Sequence, residues 1–206
     1  MIIGESRTLI AGPAGPLEIA VNRPADDATP RGIALVAHPH PQQGGTLDNK
    51  VAQTLAKTFA ALGYTAVRFN FRGVGKSAGE FDQGIGETDD AFAALTHVQT
   101  EANMTSVAPV LAGFSFGSFV QTRLARRIAA ERLVLVGPAV KRFAVEDVPA
   151  DTIVIHGEAD EVVPLDDVFA WARPQQLPIT VFPGCTHFFH GRLTQLQRVI
   201  TGMWRA

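Results

Sequence analysis

The sequence predicts an α/β protein with a mostly parallel sheet and helices on both faces. Two observations indicate this class. Short apolar segments of strand length recur from residue 33 onward, and segments with helical spacing of apolar residues separate them. This alternation is typical of βαβ units, whose strands are parallel and buried on both sides. We expect a single domain that spans residues 1–206.

The first two predicted strands form a hairpin. Residues 7–10 and 17–21 have strand character, and "AGPAGP" between them carries the Gly and Pro residues that are typical of turns. The following segment, "NRPADDATPRG" at residues 22–32, predicts a surface loop.

Strands and helices then alternate to the end of the chain. In the first helix Val51, Leu55, Phe59 and Leu62 lie on one face. Further strands are expected in "GIALVAH", "YTAVRFNF", "VAPVLAGF", "RLVLVG", "DTIVIHG" and "PITVFPG", and further helices in "GIGETDDAFAALTHVQTE", after "GFSFGS", at residues 164–172 and in "RLTQLQRVITGMW".

A serine stands where a buried strand ends and a helix begins. Ser115 lies between Gly113 and Gly117 in a Gly-x-Ser-x-Gly pattern. A very tight turn there needs small neighbours, because the strand and the helix pass close together. The turn exposes the serine oxygen and leaves the Phe116 N–H at the positive start of a helix, where an oxyanion would form. A plain tight turn gives the same pattern, so the flanking strand and helix carry this prediction.

A serine hydroxyl is a weak nucleophile and needs a base within hydrogen-bond reach. Of the six histidines, His187 follows the last strand in a loop at the carboxyl end of the sheet, from which it can approach the serine. His190, at the start of the last helix, is the alternative base. His97 and His156 are interpreted as structural residues.

A histidine base needs a carboxylate that fixes its tautomer. Glu158, Asp160 and Glu161 follow the strand "DTIVIHG". Asp160 is preferred because, one turn past the strand, it can point back across the sheet edge. Each acid can also be interpreted as a helix cap or a surface charge. The chain order of serine, aspartate and histidine is the one expected of one hydrolase fold.

With these motifs the sequence resembles the α/β-hydrolase family, specifically its small bacterial serine hydrolases without a lid. The resemblance implies about eight strands in a twisted sheet, an antiparallel second strand and no cap domain. It also implies Ser115 as nucleophile, His187 as base and Asp160 as the orienting acid. It rests on "AHPHPQQGG", "RFNFRGVGKSAG", "GFSFGS", "HGEADEVVP" and "CTHFF", and it covers most of the chain from residue 33 onward.

The sequence is also similar to the dienelactone-hydrolase branch of this family, whose nucleophile is usually a cysteine. Ser115 occupies that position here. The substrate of the branch is therefore not carried over.

The loop after the third strand departs from the family pattern. The family commonly has glycine after the loop histidine, whereas this chain has His38-Pro39-His40-Pro41. Proline has no N–H, so His40 is the only donor before Gln42. We expect the His40 N–H to be the second oxyanion donor, with Gln42 as the alternative. The two histidines could suggest a metal site, but no carboxylate or cysteine lies nearby in the sequence, so no metal or cofactor is expected.

The glycine-rich segment "GVGKS" lacks the spacing of a phosphate-binding loop. It is interpreted as a turn that carries Arg72 and Ser77 away from the strand edge. We expect Arg72 to pair with an acid; recognition of an anionic substrate is the alternative.

The expected function is hydrolysis of small or short-acyl carboxylic esters or thioesters. A serine peptidase, an acyltransferase and a non-catalytic binding protein on the same fold are the alternatives. Residues 138–150 are too few for a lid, so we expect an open, shallow site. Core packing is the alternative role for each of the candidate wall residues, and it is preferred for Phe114. The candidates are Phe114, Phe116, Phe143, Phe188 and Phe189.

Composition limits the expected partners and location. Lys and Arg number 18 against 20 Asp and Glu, so no basic field indicates nucleic acid. No apolar run approaches the ~20 residues of a membrane span, and the first residues do not have a signal-peptide pattern. A single cysteine, Cys185, fits a reducing compartment, and we expect a cytoplasmic protein without membrane partners. If Met203 and Trp204 are exposed, a homodimer is favoured.

Overall fold

The structure, a computed structural model, describes residues 5–24 and 29–204. An eight-stranded sheet has the strand order β1-β2-β4-β3-β5-β6-β7-β8. The predicted number of strands is therefore confirmed. The strands are β1 (Glu5–Gly12), β2 (Gly15–Asn22), β3 (Ile33–Ala37), β4 (Thr65–Phe69), β5 (Val110–Phe114), β6 (Arg132–Val136), β7 (Ile153–Gly157) and β8 (Ile179–Phe182).

Helices connect most of the parallel strands. None of the helices within the described residues combines the length and the apolar character that a bilayer crossing would require. The α-helices are α1 (Lys50–Ala61), α2 (Ile85–Glu101), α3 (Phe116–Ala125), α4 (Leu165–Ala172) and α5 (Leu193–Trp204), and short 3₁₀ turns occupy Pro41–Gln43 and Arg173–Gln175.

The predicted hairpin forms one edge of the sheet. β1 pairs antiparallel with β2, and β2 pairs antiparallel with β4. All remaining pairs, from β4 across to β8, are parallel. The antiparallel second strand and the mostly parallel sheet are thus confirmed. Because parallel strands end at the same edge, the loops after β3, β5, β7 and β8 can meet.

Alternating side chains of the central strands enter two separate cores. In β3, Val36 packs into the core shared with α1 and α5, whereas Leu35 packs into the core shared with α2 and α3. Both side chains have no exposed surface. Full burial of such a side chain stabilises the fold by about 1.5–3 kcal/mol. This two-sided burial explains why the strands read as continuous apolar runs.

The first helix follows its sequence signals closely. Val51, Leu55 and Phe59 are buried on one face, as their spacing predicts. Asn49 caps the helix, because its Oδ1 accepts hydrogen bonds from the N–H groups of Val51 and Ala52 at 2.9 and 3.3 Å. The cap fixes where the loop after β3 joins α1.

Arg72 has the structural role expected of it. Its Nε and Nη2 donate to the two carboxylate oxygens of Asp90 on α2 at 3.0 and 2.9 Å. Asp90 is buried, with 1% of its surface exposed. The ion pair joins the loop after β4 to α2. Removing one partner of a buried pair of this kind costs about 3–5 kcal/mol.

The segment between β6 and β7, residues 137–152, contains neither a helix nor a strand. No cap domain is therefore inserted at this point, in agreement with the prediction.

At the end of the last helix, the rings of Phe59 and Tyr64 lie 5.2 and 5.8 Å from the Trp204 ring. Met203 also packs against the core, so neither residue presents the exposed surface that would favour a homodimer. The homodimer stays a prediction.

Candidate active site

Ser115 occupies a strained turn between β5 and α3. Its φ of 55° and ψ of −118° lie in a region that L-residues other than glycine seldom adopt. A conformation of this kind costs about 1–3 kcal/mol and persists only where the surrounding structure enforces it. Here the Ser115 N–H donates to the carbonyl oxygen of Val136 at 2.9 Å, which joins the turn to β6.

The two glycines of the motif are required by close backbone approach. A Cβ on Gly113 would lie 2.4 Å from the carbonyl oxygen of Gly117. A Cβ on Gly117 would lie 2.3 Å from the carbonyl oxygen of Ala37. Both distances are too short for any real side chain. The predicted steric reason for the Gly-x-Ser-x-Gly spacing is confirmed.

The structure brings the predicted serine, histidine and aspartate together. His187 Nε2 lies 3.1 Å from Ser115 Oγ, and His187 Nδ1 lies 2.7 Å from Asp160 Oδ2. A carboxylate only accepts hydrogen bonds, so Nδ1 carries the hydrogen and Nε2 accepts from the serine hydroxyl. Ser115, Asp160 and His187 are 7%, 5% and 2% exposed.

Asp160 is held by backbone donors as well as by the histidine. Its Oδ1 accepts hydrogen bonds from the N–H groups of Val162 and Val163 at 2.9 and 2.8 Å. Burial by itself raises the pKa of Asp160, but the hydrogen bonds from His187 and Val163 outweigh burial, so the pKa lies below its ordinary value. The carboxylate is therefore ionised at neutral pH.

The alternative acids and the alternative base lie elsewhere. Glu158 accepts a hydrogen bond from the Gly184 N–H at 2.7 Å, and Glu161 is exposed. His190 is exposed, with its ring 5.9 Å from the ring of Phe188. Of the candidate acids and the two candidate bases, Asp160 and His187 are the pair joined by a hydrogen bond.

The loop after β8, which carries His187, packs closely against the backbone at the end of β7. The Ala159 N–H donates to the carbonyl oxygen of Cys185 at 3.0 Å. A Cβ on Gly157 would lie 2.3 Å from that same oxygen. The absence of a side chain at Gly157 lets the loop lie directly against the end of β7, beside Asp160.

Two backbone N–H groups lie beside the serine. The Phe116 N–H is in the first turn of α3, where N–H groups have no intrahelical acceptor and the helix end carries partial positive charge. The His40 N–H makes no hydrogen bond to residues 5–24 or 29–204. The N–H of the alternative donor, Gln42, already donates to His40 Nδ1 at 3.2 Å. The geometry thus favours His40 over Gln42, and its role stays a prediction.

His38 is fixed in one neutral tautomer. Its Nδ1–H donates to the carbonyl oxygen of Pro39 at 2.7 Å, and its Nε2 accepts from the Phe71 N–H at 3.2 Å. Burial lowers its pKa to about 3, against a smaller opposing effect of the hydrogen bond to Pro39. Both ring nitrogens are therefore occupied, and the ring joins the loops after β3 and β4.

His40 is also neutral, and burial is again the main cause. Burial, and then the positive charge of nearby Arg142, lower its pKa. Its ring lies 5.0 Å from the ring of Phe81 and 5.1 Å from that of Phe116. This aromatic packing fixes the loop that carries the candidate oxyanion donor.

A cavity of about 110 Å³ opens beside Ser115. Gln43 and Asn49 also line this cavity, and the sequence motifs did not predict a role in the site for either residue. A larger cavity of about 520 Å³ includes Thr65, His97 and Glu101, but within the described chain it contains no serine, histidine and carboxylate in mutual hydrogen-bond contact. The smaller cavity is lined by Pro39, His40, Gln43, Gly44, Gly45, Asn49, Ser115, Val162, His187 and Phe188.

Only one of the five candidate wall phenylalanines lines this cavity. Phe188 does so and is 43% exposed. Phe114 lies in the core with its ring 4.9 Å from that of His187. Phe116 and Phe143 pack around His40. Phe189 packs against Phe182, so its expected wall role is wrong.

Comparison with known proteins finds a matching family and a similar sequence. Residues 30–146 match the family described as serine aminopeptidase, S33. An uncharacterized protein of Rickettsia prowazekii (strain Madrid E) is 34% identical over 203 residues, which cover 92% of this chain and 84% of that protein.

Two solved structures share both the fold and much of the sequence. A serine hydrolase without lid from Xanthomonas campestris is 38% identical, with a TM-score of 0.91, and the match covers 100% of this chain and 95% of that one. A serine hydrolase homologue from Coxiella burnetii is 37% identical, with a TM-score of 0.87, and the match covers 98% and 97%. The similarity to the dienelactone-hydrolase branch stays a prediction.

Proposed function

Because the chain belongs to the α/β serine hydrolase family, we propose that it hydrolyses small or short-acyl carboxylic esters or thioesters through an acyl-serine intermediate. One observation carries the proposal. Ser115 Oγ, the imidazole of His187 and the carboxylate of Asp160 form a continuous hydrogen-bonded chain, with contacts of 3.1 and 2.7 Å. This is the arrangement that activates a serine hydroxyl for attack on a carbonyl carbon.

In the first half of the reaction, Ser115 Oγ attacks the carbonyl carbon while His187 Nε2 takes the hydroxyl proton. The imidazolium that forms is stabilised by Asp160, whose carboxylate is already ionised and fixed by two backbone N–H groups. His187 then gives the proton to the leaving alcohol or thiol, and the acyl group stays on the serine.

The charge that develops on the carbonyl oxygen is stabilised by the N–H groups of Phe116 and His40. Donors of this kind act without reorganisation, because the backbone holds them in place before substrate binds. His40 has a proline on each side and a capped 3₁₀ turn after it, so its N–H has little freedom.

In the second half, water takes the place of the alcohol. His187 removes a proton from water, the hydroxide attacks the acyl carbon, and the same N–H groups hold the second oxyanion. As the second tetrahedral intermediate collapses, the bond between the acyl carbon and Ser115 Oγ breaks, His187 returns its proton to Oγ, and the carboxylic acid leaves.

The size of the cavity supports a small acyl group. About 110 Å³ corresponds to the volume of a few water molecules, at ~30 Å³ each. Residues 137–152 supply no helix that could cover the site. A short acyl chain fits inside, and a leaving group of any length can extend into solvent.

An aminopeptidase is the second candidate, because the matching family is described as serine aminopeptidase, S33. Such an enzyme binds a positively charged amino terminus, and a carboxylate in the pocket is the usual partner for that charge. None of the residues that line the cavity beside Ser115 is acidic. The lining therefore favours an uncharged acyl group over an amino-terminal residue.

A fluorophosphonate probe and a substrate panel test the proposal. We expect the wild-type protein to be labelled and to hydrolyse activated esters with acyl chains of two to about four carbons faster than longer esters or aminoacyl amides. Ser115→Ala abolishes both labelling and hydrolysis. Ser106→Ala, which removes an exposed serine, is the matched control and retains both.

The outcomes separate the candidates. A folded wild-type protein that stays unlabelled indicates a binding protein and contradicts the proposal. Faster turnover of aminoacyl amides than of esters indicates the peptidase instead. Transfer of the acyl group to an added alcohol, in preference to water, indicates an acyltransferase.

A further inference from the structure

A second histidine lies against the same aspartate. His156, the fourth residue of β7, has no exposed surface. Its Nε2 lies 2.8 Å from the carbonyl oxygen of Val163 and 3.4 Å from Asp160 Oδ2. The sequence indicated only that this residue is structural, and the reaction described above does not use it.

The protonation state of His156 follows from its surroundings. Burial lowers its pKa, and the opposing effects of the Val163 carbonyl and the Asp160 carboxylate are smaller. The ring is therefore neutral at pH 7. Because a carbonyl oxygen only accepts, the hydrogen is on Nε2. Nδ1 is buried and has no hydrogen-bond partner within the described residues.

Val163 connects the two side chains. Its carbonyl oxygen accepts from His156 Nε2–H, while its N–H donates to Asp160 Oδ1 at 2.8 Å. The Nε2–H dipole also lies close to Oδ2, the oxygen that faces His187. A continuous series of contacts thus leads from His156 through Val163 and Asp160 to His187. Buried polar contacts arranged in series strengthen one another and define one geometry.

We propose that His156 is a positioning residue for the hydrolysis, which holds the turn at residues 160–163 so that Asp160 Oδ2 faces His187 Nδ1. This inference rests on the proposed function of Ser115. Core packing alone would need only the volume of the ring. Positioning needs the donor on Nε2, because without it the buried carbonyl oxygen of Val163 loses its hydrogen bond from His156, which helps to hold the turn.

Two substitutions at His156 distinguish the effect of the hydrogen-bond donor from the effect of side-chain volume. In His156→Gln, the amide nitrogen is the same number of bonds from Cβ as Nε2 of histidine, so it can donate to Val163. His156→Leu keeps an apolar side chain of similar size but has no donor. We expect His156→Leu to lower kcat by about tenfold or more with KM within about twofold, and His156→Gln to retain most of kcat. Rates are divided by the concentration of sites that react with the fluorophosphonate probe, so misfolded protein does not contribute.

A spectroscopic measurement supports the kinetic one. The Nδ1–H of His187, hydrogen-bonded to a buried carboxylate, gives a low-field proton resonance in the free enzyme. We expect this resonance to be kept in His156→Gln and lost or shifted in His156→Leu. If His156→Leu does not fold, His156→Asn replaces it, because its amide nitrogen falls one bond short of Val163.

The outcomes distinguish this inference from the proposed function. Wild-type protein without Ser115-dependent hydrolysis overturns the proposed function. Active wild-type protein, with kcat and the low-field resonance unchanged in His156→Leu or His156→Asn, overturns the role of His156. Equal losses of kcat in the Gln and Leu variants, with the resonance unchanged, also overturn it, because the donor would then not matter.

Discussion

The Nδ1–H of His187 donates a hydrogen bond of 2.7 Å to Asp160 Oδ2, although 27 positions separate the two residues. Asp160 follows β7 and His187 follows β8, and these strands are parallel neighbours in the sheet. Loops that follow adjacent parallel strands begin at the same edge, so strand order brings the two side chains together. The contact is therefore a product of topology rather than of local sequence.

Asp160→Asn tests that contact directly. An amide keeps the shape of the side chain but presents an N–H₂ group as well as an oxygen, which favours the wrong tautomer of His187. We expect kcat to fall by about 10³- to 10⁴-fold with the fold retained. Glu161→Gln, an exposed acid of the same loop, is the control and should keep wild-type kcat. Ester hydrolysis at saturating substrate measures both, and a loss below about tenfold in Asp160→Asn would contradict the assignment.

The backbone donor at His40 can be removed by proline. His40 has φ −53°, which is close to the value that a proline ring imposes, so His40→Pro removes the N–H with little backbone strain. We expect kcat to fall by about 10²- to 10³-fold. His40→Ala removes the imidazole and keeps the N–H, and should cost much less. Equal losses of kcat in the two variants would show that the ring, and not the N–H, matters.

The strain at Ser115 predicts a stability difference between two inactive variants. Glycine adopts the positive φ of this position without steric cost, whereas alanine keeps the strain. Relief of about 1–3 kcal/mol is partly offset by the larger entropy of glycine in the unfolded chain. We expect Ser115→Gly to be more stable than Ser115→Ala by about 1 kcal/mol in urea unfolding. An equal or lower stability of the glycine variant would show that the turn is not strained.

Tyr64 gives a pH-dependent prediction, and it is the only tyrosine in the chain. Burial, and then the hydrogen bond of 2.6 Å from its hydroxyl to Glu131, raise its pKa from 10.0 to about 12. The folded state therefore favours the protonated phenol. The stability that this contributes is complete below pH 10 and is lost as pH rises towards about 12.

The ultraviolet absorbance of tyrosinate measures this directly. We expect Tyr64 to titrate near pH 12 in the folded protein and near its ordinary value in denaturant. Tyr64→Phe removes the signal and serves as the baseline. A folded-state midpoint at the ordinary value would mean that the phenol is neither buried nor hydrogen-bonded to Glu131.

The fold was predictable to a large extent because its signals are local. The hairpin, the alternation of strands and helices and the apolar face of α1 each depend on residues close together in the chain. The orientations of Phe189 and Trp204 were not predictable, for a related reason. A loop or terminal aromatic residue can turn either outward or inward, and here Phe182 and Phe59 offer core surface to these rings. The neighbouring sequence does not show that this core surface is available to the two rings.

The sequence by itself determined the class of fold and the position of the candidate nucleophile, because a strand, a tight turn and a helix within ten residues already fix where Ser115 stands. Only the tertiary structure decided which of three acids contacts which histidine, whether the N–H of His40 or that of Gln42 is free, and that His156 reaches Val163. Those are distances between residues far apart in the chain. Strand order, register and close backbone approach set them, and side-chain spacing in the sequence does not encode them.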